Sequence, residues 1–84
     1  MNIKELKVFL KSHLVPKKLY KIRKEKKNRI CIEKENENWI VFFKDKKDKI
    51  GTLSFSNEND ACMAFIKEIK KIMKGMYEVT FFEN

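Results

Sequence analysis

The run Trp39-Ile40-Val41-Phe42-Phe43 limits what this chain can fold into more than any other stretch. All five residues are β-branched or aromatic, the types that suit a pleated, half-buried surface. Five residues are too few for a helix and about the usual length of a strand. The run also carries the only tryptophan. It reads as the central strand of a small sheet, with the rest of the chain arranged to cover it. With 84 residues in all, that sheet belongs to a single domain spanning 1–84.

The flanking segments supply the covering elements. Ile3, Leu6, Leu10 and Leu14 fall on one helical stripe, so residues 2–14 read as a helix. Asn2 and Glu5 have the spacing of a capping box, and Pro16 closes the element. Residues 29–34 begin the sheet, with Ile30-Cys31-Ile32 its β-prone part. A turn at 35–38 leads to the central strand, and a charged loop at 44–49 leads to a third strand at 50–55. In that strand Leu53 and Phe55 alternate with Thr52 and Ser54, which predicts one buried and one wet face. Ser56 or Asn57 then caps a second helix. Its apolar stripe is Cys62, Phe65, Ile66, Ile69, Ile72, Met73 and Met76, and Gly75 is placed to end it. The fold class is α+β: a three-stranded antiparallel meander against two helices, in the order α-β-β-β-α. The tail 77–82 alternates weakly and is a candidate fourth strand.

Charge is the second strong feature. Lys and Arg number 20 against 12 Asp and Glu, for a net +8. From Lys17 to Arg29 there are eight basic residues and one acid, so this segment holds nearly all of the excess. Like charges this dense favour an extended, exposed conformation. A basic balance suits acidic partners, or serves solubility alone. Nothing near residue 1 has the apolar core of a secretory signal, and no run approaches the roughly 18 apolar residues of a membrane span. A cytoplasmic protein without membrane contact is expected.

Candidate chemistry is sparse. Cys31 and Cys62 sit inside apolar elements, and with one histidine they match no zinc-ligand spacing. Free buried thiols in a reducing compartment are the expectation. Ser12 and His13 are adjacent on a helix and point apart, with no acid behind them. Glu33, Glu35 and Glu37 share a period of two, but a Glu/Asn-rich turn is ordinarily just solvated. No catalytic residue, metal ligand or cofactor is assigned, and the chain reads as a non-enzyme.

Two binding readings follow. The α-β-β-β-α order is that of the double-stranded-RNA-binding domain, and residues 17–29 supply cations for phosphate. That domain has lysines where its second helix begins, whereas this chain has Asn57-Glu58-Asn59-Asp60. The other reading is protein binding. If both helices pack on the Trp39/Val41/Phe43 face, Ile40 and Phe42 are left exposed on the other, open to a partner, a second copy in a dimer, or the tail.

Several segments together resemble a known group. They are Pro16-Lys17-Lys18-Leu19-Tyr20, Cys31-Ile32-Glu33-Lys34, Trp39-Ile40-Val41-Phe42-Phe43, and Phe55-Ser56-Asn57-Glu58-Asn59-Asp60-Ala61-Cys62-Met63-Ala64-Phe65. The pattern resembles small bacterial immunity proteins of polymorphic toxin and contact-dependent growth inhibition systems, over roughly residues 3–70. The resemblance implies a non-catalytic inhibitor that binds and neutralises a cognate toxin domain. The basic run replaces a Gly-rich stretch in that pattern, and Lys44-Asp45-Lys46-Lys47-Asp48-Lys49 replaces an E-R-G loop. Such proteins vary most where they touch their toxin, so these two departures mark the expected contact surface. The residues are Lys21, Arg23, Lys24, Lys26, Lys27 and Arg29, with Lys44, Lys46, Lys47 and Lys49 second. The alternative is a small basic nucleic-acid-binding regulator.

Overall fold

Two helices lie on one face of a four-stranded sheet in the computed structural model, which describes residues 1–77. Helix α1 spans Ile3–Ser12, a short 3-10 turn covers Lys17–Leu19, and strand β1 is Tyr20–Ile22. Strands β2 (Arg29–Glu35), β3 (Asn38–Lys44) and β4 (Lys49–Phe55) follow, and α2 spans Glu58–Tyr77. The sheet order is β1-β2-β3-β4, with β1 parallel to β2 and the other pairs antiparallel. The protein is α+β, and the meander at residues 29–55 stands as its sequence predicts. The fourth described strand comes from elsewhere in the chain. It is β1, drawn from the segment expected to stay extended and exposed. Tyr77 belongs to α2, and residues 78–82 of the expected tail strand lie outside the described residues.

Helix α1 is fixed at both ends. Asn2 accepts from the Glu5 N–H at 2.8 Å, and the Glu5 carboxylate accepts from the Asn2 N–H at 3.0 Å. Two of the four orphan donors of the first turn are thereby satisfied. At the other end Leu14 takes a left-handed φ of 54°. The Val15 N–H reaches the Leu10 carbonyl and the Leu14 N–H reaches that of Lys11, both at 3.0 Å. This is a Schellman closure with leucine where glycine usually sits. Leu14 therefore leaves the apolar stripe and is 85% exposed, whereas Val15 is buried.

The core lies between the helices and one face of the sheet. Ile3, Leu6 and Leu10 of α1 meet Ile30, Ile32, Trp39 and Val41 of the sheet, and Cys62, Phe65, Ile66, Ile69 and Met73 of α2. Leu6, Leu10, Phe65 and Ile69 are fully buried against this face, as the stripes predict. Asn57 caps α2, accepting from the Asp60 N–H at 2.8 Å. Gly75 does not stop α2, which continues to Tyr77. A glycine inside a helix costs only about 1 kcal/mol, which the packed stripe outweighs. Among the described residues β4 is an edge strand, and Leu53 stays 44% exposed rather than buried. Gly51, at φ 64°, accommodates the extra residue of a bulge between the Val41↔Leu53 and Phe43↔Ile50 pairs.

The second sheet face is not open. Ile40 and Phe42 are 3% and 1% exposed and pack with Cys31 in a separate small cluster. An exposed Ile40/Phe42 patch available to a partner or a second copy is thus corrected. Residues 23–28, which carry the chain from the end of β1 back to the start of β2, run along this face, with Glu25 paired to Lys44 and Lys49 and the Lys49 ammonium over the Phe42 ring. Two left-handed residues bracket this crossover, Arg23 at φ 69° and Asn28 at φ 59°. The Arg23 N–H donates to the Ile32 carbonyl at 2.6 Å, and the Asn28 N–H to that of Lys44 at 2.7 Å. The Cys31 thiol lies 3.8 Å from the Lys26 carbonyl beneath it. Cys31 and Cys62 are both free and buried.

Candidate functional site

The cations of the chain divide into those that hold the fold and those that face outward. Glu25, the single acid of the basic run, pairs with Lys44 at 3.3 Å. Lys49 donates to Glu33 at 3.0 Å and lies 3.8 Å from both Glu25 and Glu35. Its ammonium also sits 4.8 Å from the centre of the Phe42 ring. The hydrogen bond to Glu33 is the main reason the Lys49 pKa rises above its ordinary value. Together these groups form a belt that clips the crossover onto Phe42 and the loop beyond β3. Glu33 and Glu35 are thus partners of a lysine. Among the described residues no cluster of three or more His, Cys, Asp or Glu could hold a metal.

A different set of cations converges on the β1 edge. A cleft of about 320 Å³ is lined by Lys7 and Lys11 of α1, Lys17 of the 3-10 turn, Tyr20, Lys21 and Ile22 of β1, and Arg29 of β2. Five of these seven residues are cationic and none is acidic. Lys7 and Lys11 stand one turn apart on the exposed face of α1. The Arg29 guanidinium donates to the Lys17 carbonyl at 3.1 Å, which fixes the 3-10 turn against β2. The Tyr20 ring packs edge-on to Phe65 at 6.1 Å, and burial pushes its phenol above the usual value, so it remains a neutral donor at physiological pH. The cleft thus gathers positive charge beside a partly apolar wall of Tyr20 and Ile22.

The residues expected at a partner surface fall into four places. Lys21 and Arg29 line the cleft. Lys26, Lys27, Lys44 and Lys46 surround a shallower hollow of about 530 Å³ together with Glu25. Arg23, Lys24 and Lys47 are exposed on the crossover and on the loop before β4. Lys49 belongs to the belt, and Lys44 is tied both to Glu25 and to the Lys47 carbonyl. Lys7, Lys11, Lys17 and Tyr20 were not expected. The pair Lys7/Lys11 at helical spacing was the visible sign, but alone it marks only a wet helix face.

Compared with known proteins, the chain matches no family model, no curated protein and no solved structure. No helix among the described residues is long and apolar enough to cross a membrane.

Proposed function

We propose that this chain is a cytoplasmic immunity protein, a non-catalytic inhibitor that binds one cognate toxin domain through its basic edge. The observation that carries the reading is the cleft, where four separate elements bring five cations together with no acid among them. Assembling like charges opposes folding, so such a group is best accounted for by an acidic partner that neutralises it. The resemblance of the core segments to immunity proteins supplies the identity of that partner. Complementary charge of this kind speeds association and fixes the partner more than it adds affinity.

The test is to read the neighbouring gene for the toxin domain that this reading expects there, and to measure rescue of growth in a bacterium that produces that domain. Rescue is expected from the natural sequence. Reversal at Lys26→Glu with Lys27→Glu is expected to weaken the toxin complex in calorimetry, mainly through a slower on-rate. Absence of rescue by the natural sequence refutes the function, and an unchanged complex with the double reversal refutes the use of the crossover surface.

The second reading, a nucleic-acid-binding regulator, draws on the same cations. Against it stand Glu58 and Asp60 in the first turn of α2, where the double-stranded-RNA-binding domain has lysines. It requires duplex affinity that falls steeply between low and moderate salt in an anisotropy titration.

A further inference from the structure

The cleft has a property that charge alone does not explain: three of its lining residues, Tyr20, Lys21 and Ile22, are the whole of strand β1. Among the described residues, strand β1 is the last strand of the sheet on that side. In a parallel pair, alternate residues turn both backbone groups to the same neighbour. Because the Arg23 N–H reaches Ile32 on β2, the N–H and C=O of Ile22 turn the other way, off the far side of β1, while the Tyr20 N–H is held by the Lys17 carbonyl. The cleft therefore combines a strand edge able to pair with another backbone and a surround of cations.

We infer that the cleft is the docking site for an extended acidic segment of a protein partner, which adds to the sheet as a strand beside β1. The inference deepens the reading of this chain as an immunity protein and rests on it for the identity of the partner. A strand edge presents both N–H donors and C=O acceptors, which a peptide backbone can pair in full, whereas a phosphodiester chain can use only the donors, which favours a protein over a nucleic acid. The arrangement also specifies the segment. Lys7 and Lys11 approach from the helix-covered face. Lys21 pairs with Cys31 in the sheet register, so it and Arg29 belong to the opposite face. Successive side chains of an added strand point alternately to these two faces. Consecutive acidic residues thus each find cations, whereas an alternating acidic pattern would use only one set. The apolar wall of Tyr20 and Ile22 suits a β-branched residue at either end of the acidic stretch.

The probe is the acetylated, amidated peptide Val-Glu-Glu-Glu-Val, titrated into the full chain by calorimetry and followed by amide hydrogen exchange at Ile22. Binding with slowed exchange at Ile22 is the expected result. The same peptide N-methylated at alternate backbone nitrogens keeps its charge but loses the ladder, and should bind about tenfold more weakly. Lys7→Gln with Lys11→Gln, both exposed on α1, should also weaken binding by about tenfold while leaving the circular dichroism unchanged. Equal binding of the N-methylated peptide overturns strand addition, as does tighter binding of hexathymidylate than of the acidic peptide. Growth rescue reports separately on the immunity role. Rescue that persists without any peptide binding removes strand addition and leaves that role standing; peptide binding without rescue does the reverse.

Discussion

Replacing Lys49 with methionine isolates what the belt contributes. The substitution keeps most of the stem over Phe42 and removes the ammonium. The bond to Glu33 at 3.0 Å joins two side chains that are 32% and 21% exposed, so it is partly sheltered and contributes about 0.5–1 kcal/mol. The two pairs at 3.8 Å reach more exposed acids, at 43% and 58%, and add about 0.2–0.5 kcal/mol each. The approach to the Phe42 ring adds about 0.5 kcal/mol. Methionine recovers part of this through its own packing, leaving a net loss of about 1–2 kcal/mol. Urea unfolding followed by Trp39 fluorescence should show the midpoint falling by about 1–2 M for a chain of this size. In 1 M salt, where screening extends only about 3 Å, the difference between the two proteins should shrink to less than half. The Lys49 pKa is raised on folding, so its contribution is fully present below the ordinary lysine value of 10.5 and disappears as pH climbs above it. Lys46→Met, on the exposed loop, is the control and should change stability by less than about 0.5 kcal/mol. Equal urea midpoints for the natural sequence and Lys49→Met would refute the belt as the clasp of the crossover.

Leu14→Gly should stabilise the protein by about 0.5–1 kcal/mol, because the left-handed φ strains leucine and its exposed side chain gives up little burial; thermal unfolding checks the sign. The two glycines should respond in opposite directions to alanine. Gly51→Ala meets open space but keeps a φ of 64°, costing about 1 kcal/mol, whereas Gly75→Ala, also in open space but helical, should gain about 0.5 kcal/mol. Burial, with Glu58 adding to it, pushes the Cys62 thiol up to about 11. Alkylation at pH 8 should then run about a hundredfold more slowly in the folded protein than in urea. Since the folded thiol holds its proton more tightly, this group adds stability below its usual value of 9 and loses it as pH rises toward 11.

Both helices and the three-strand meander were legible because each carries a local period long enough to read. The stripe of α1 and the 39–43 run need no partner to be recognised. Strand β1 was not legible, since three residues in a parallel pair give almost no alternation, and the lysines around Tyr20 and Ile22 resemble a loop. The fate of Ile40 and Phe42 was hidden for a different reason. The crossover at 23–28 and Lys49 run along that face, and no pattern within 39–43 reveals it. The cleft was half legible: Lys17, Lys21 and Arg29 lie within the basic run, but Lys7 and Lys11 join them only through the tertiary fold.

The crossover divides its six residues into two kinds, with a consequence for how this surface can change. Arg23 and Asn28 are set by the left-handed backbone, and Glu25 by its bonds to Lys44 and Lys49. Lys24, Lys26 and Lys27 are exposed, with no role in those turns or that clip. A library that randomises only 24, 26 and 27 should keep nearly all its members folded while sampling very different surfaces. One that randomises 23, 25 and 28 should lose most of its members to unfolding. Selection for a new partner can therefore rewrite positions 24, 26 and 27, half of this segment, while the scaffold around Phe42 stays as it is.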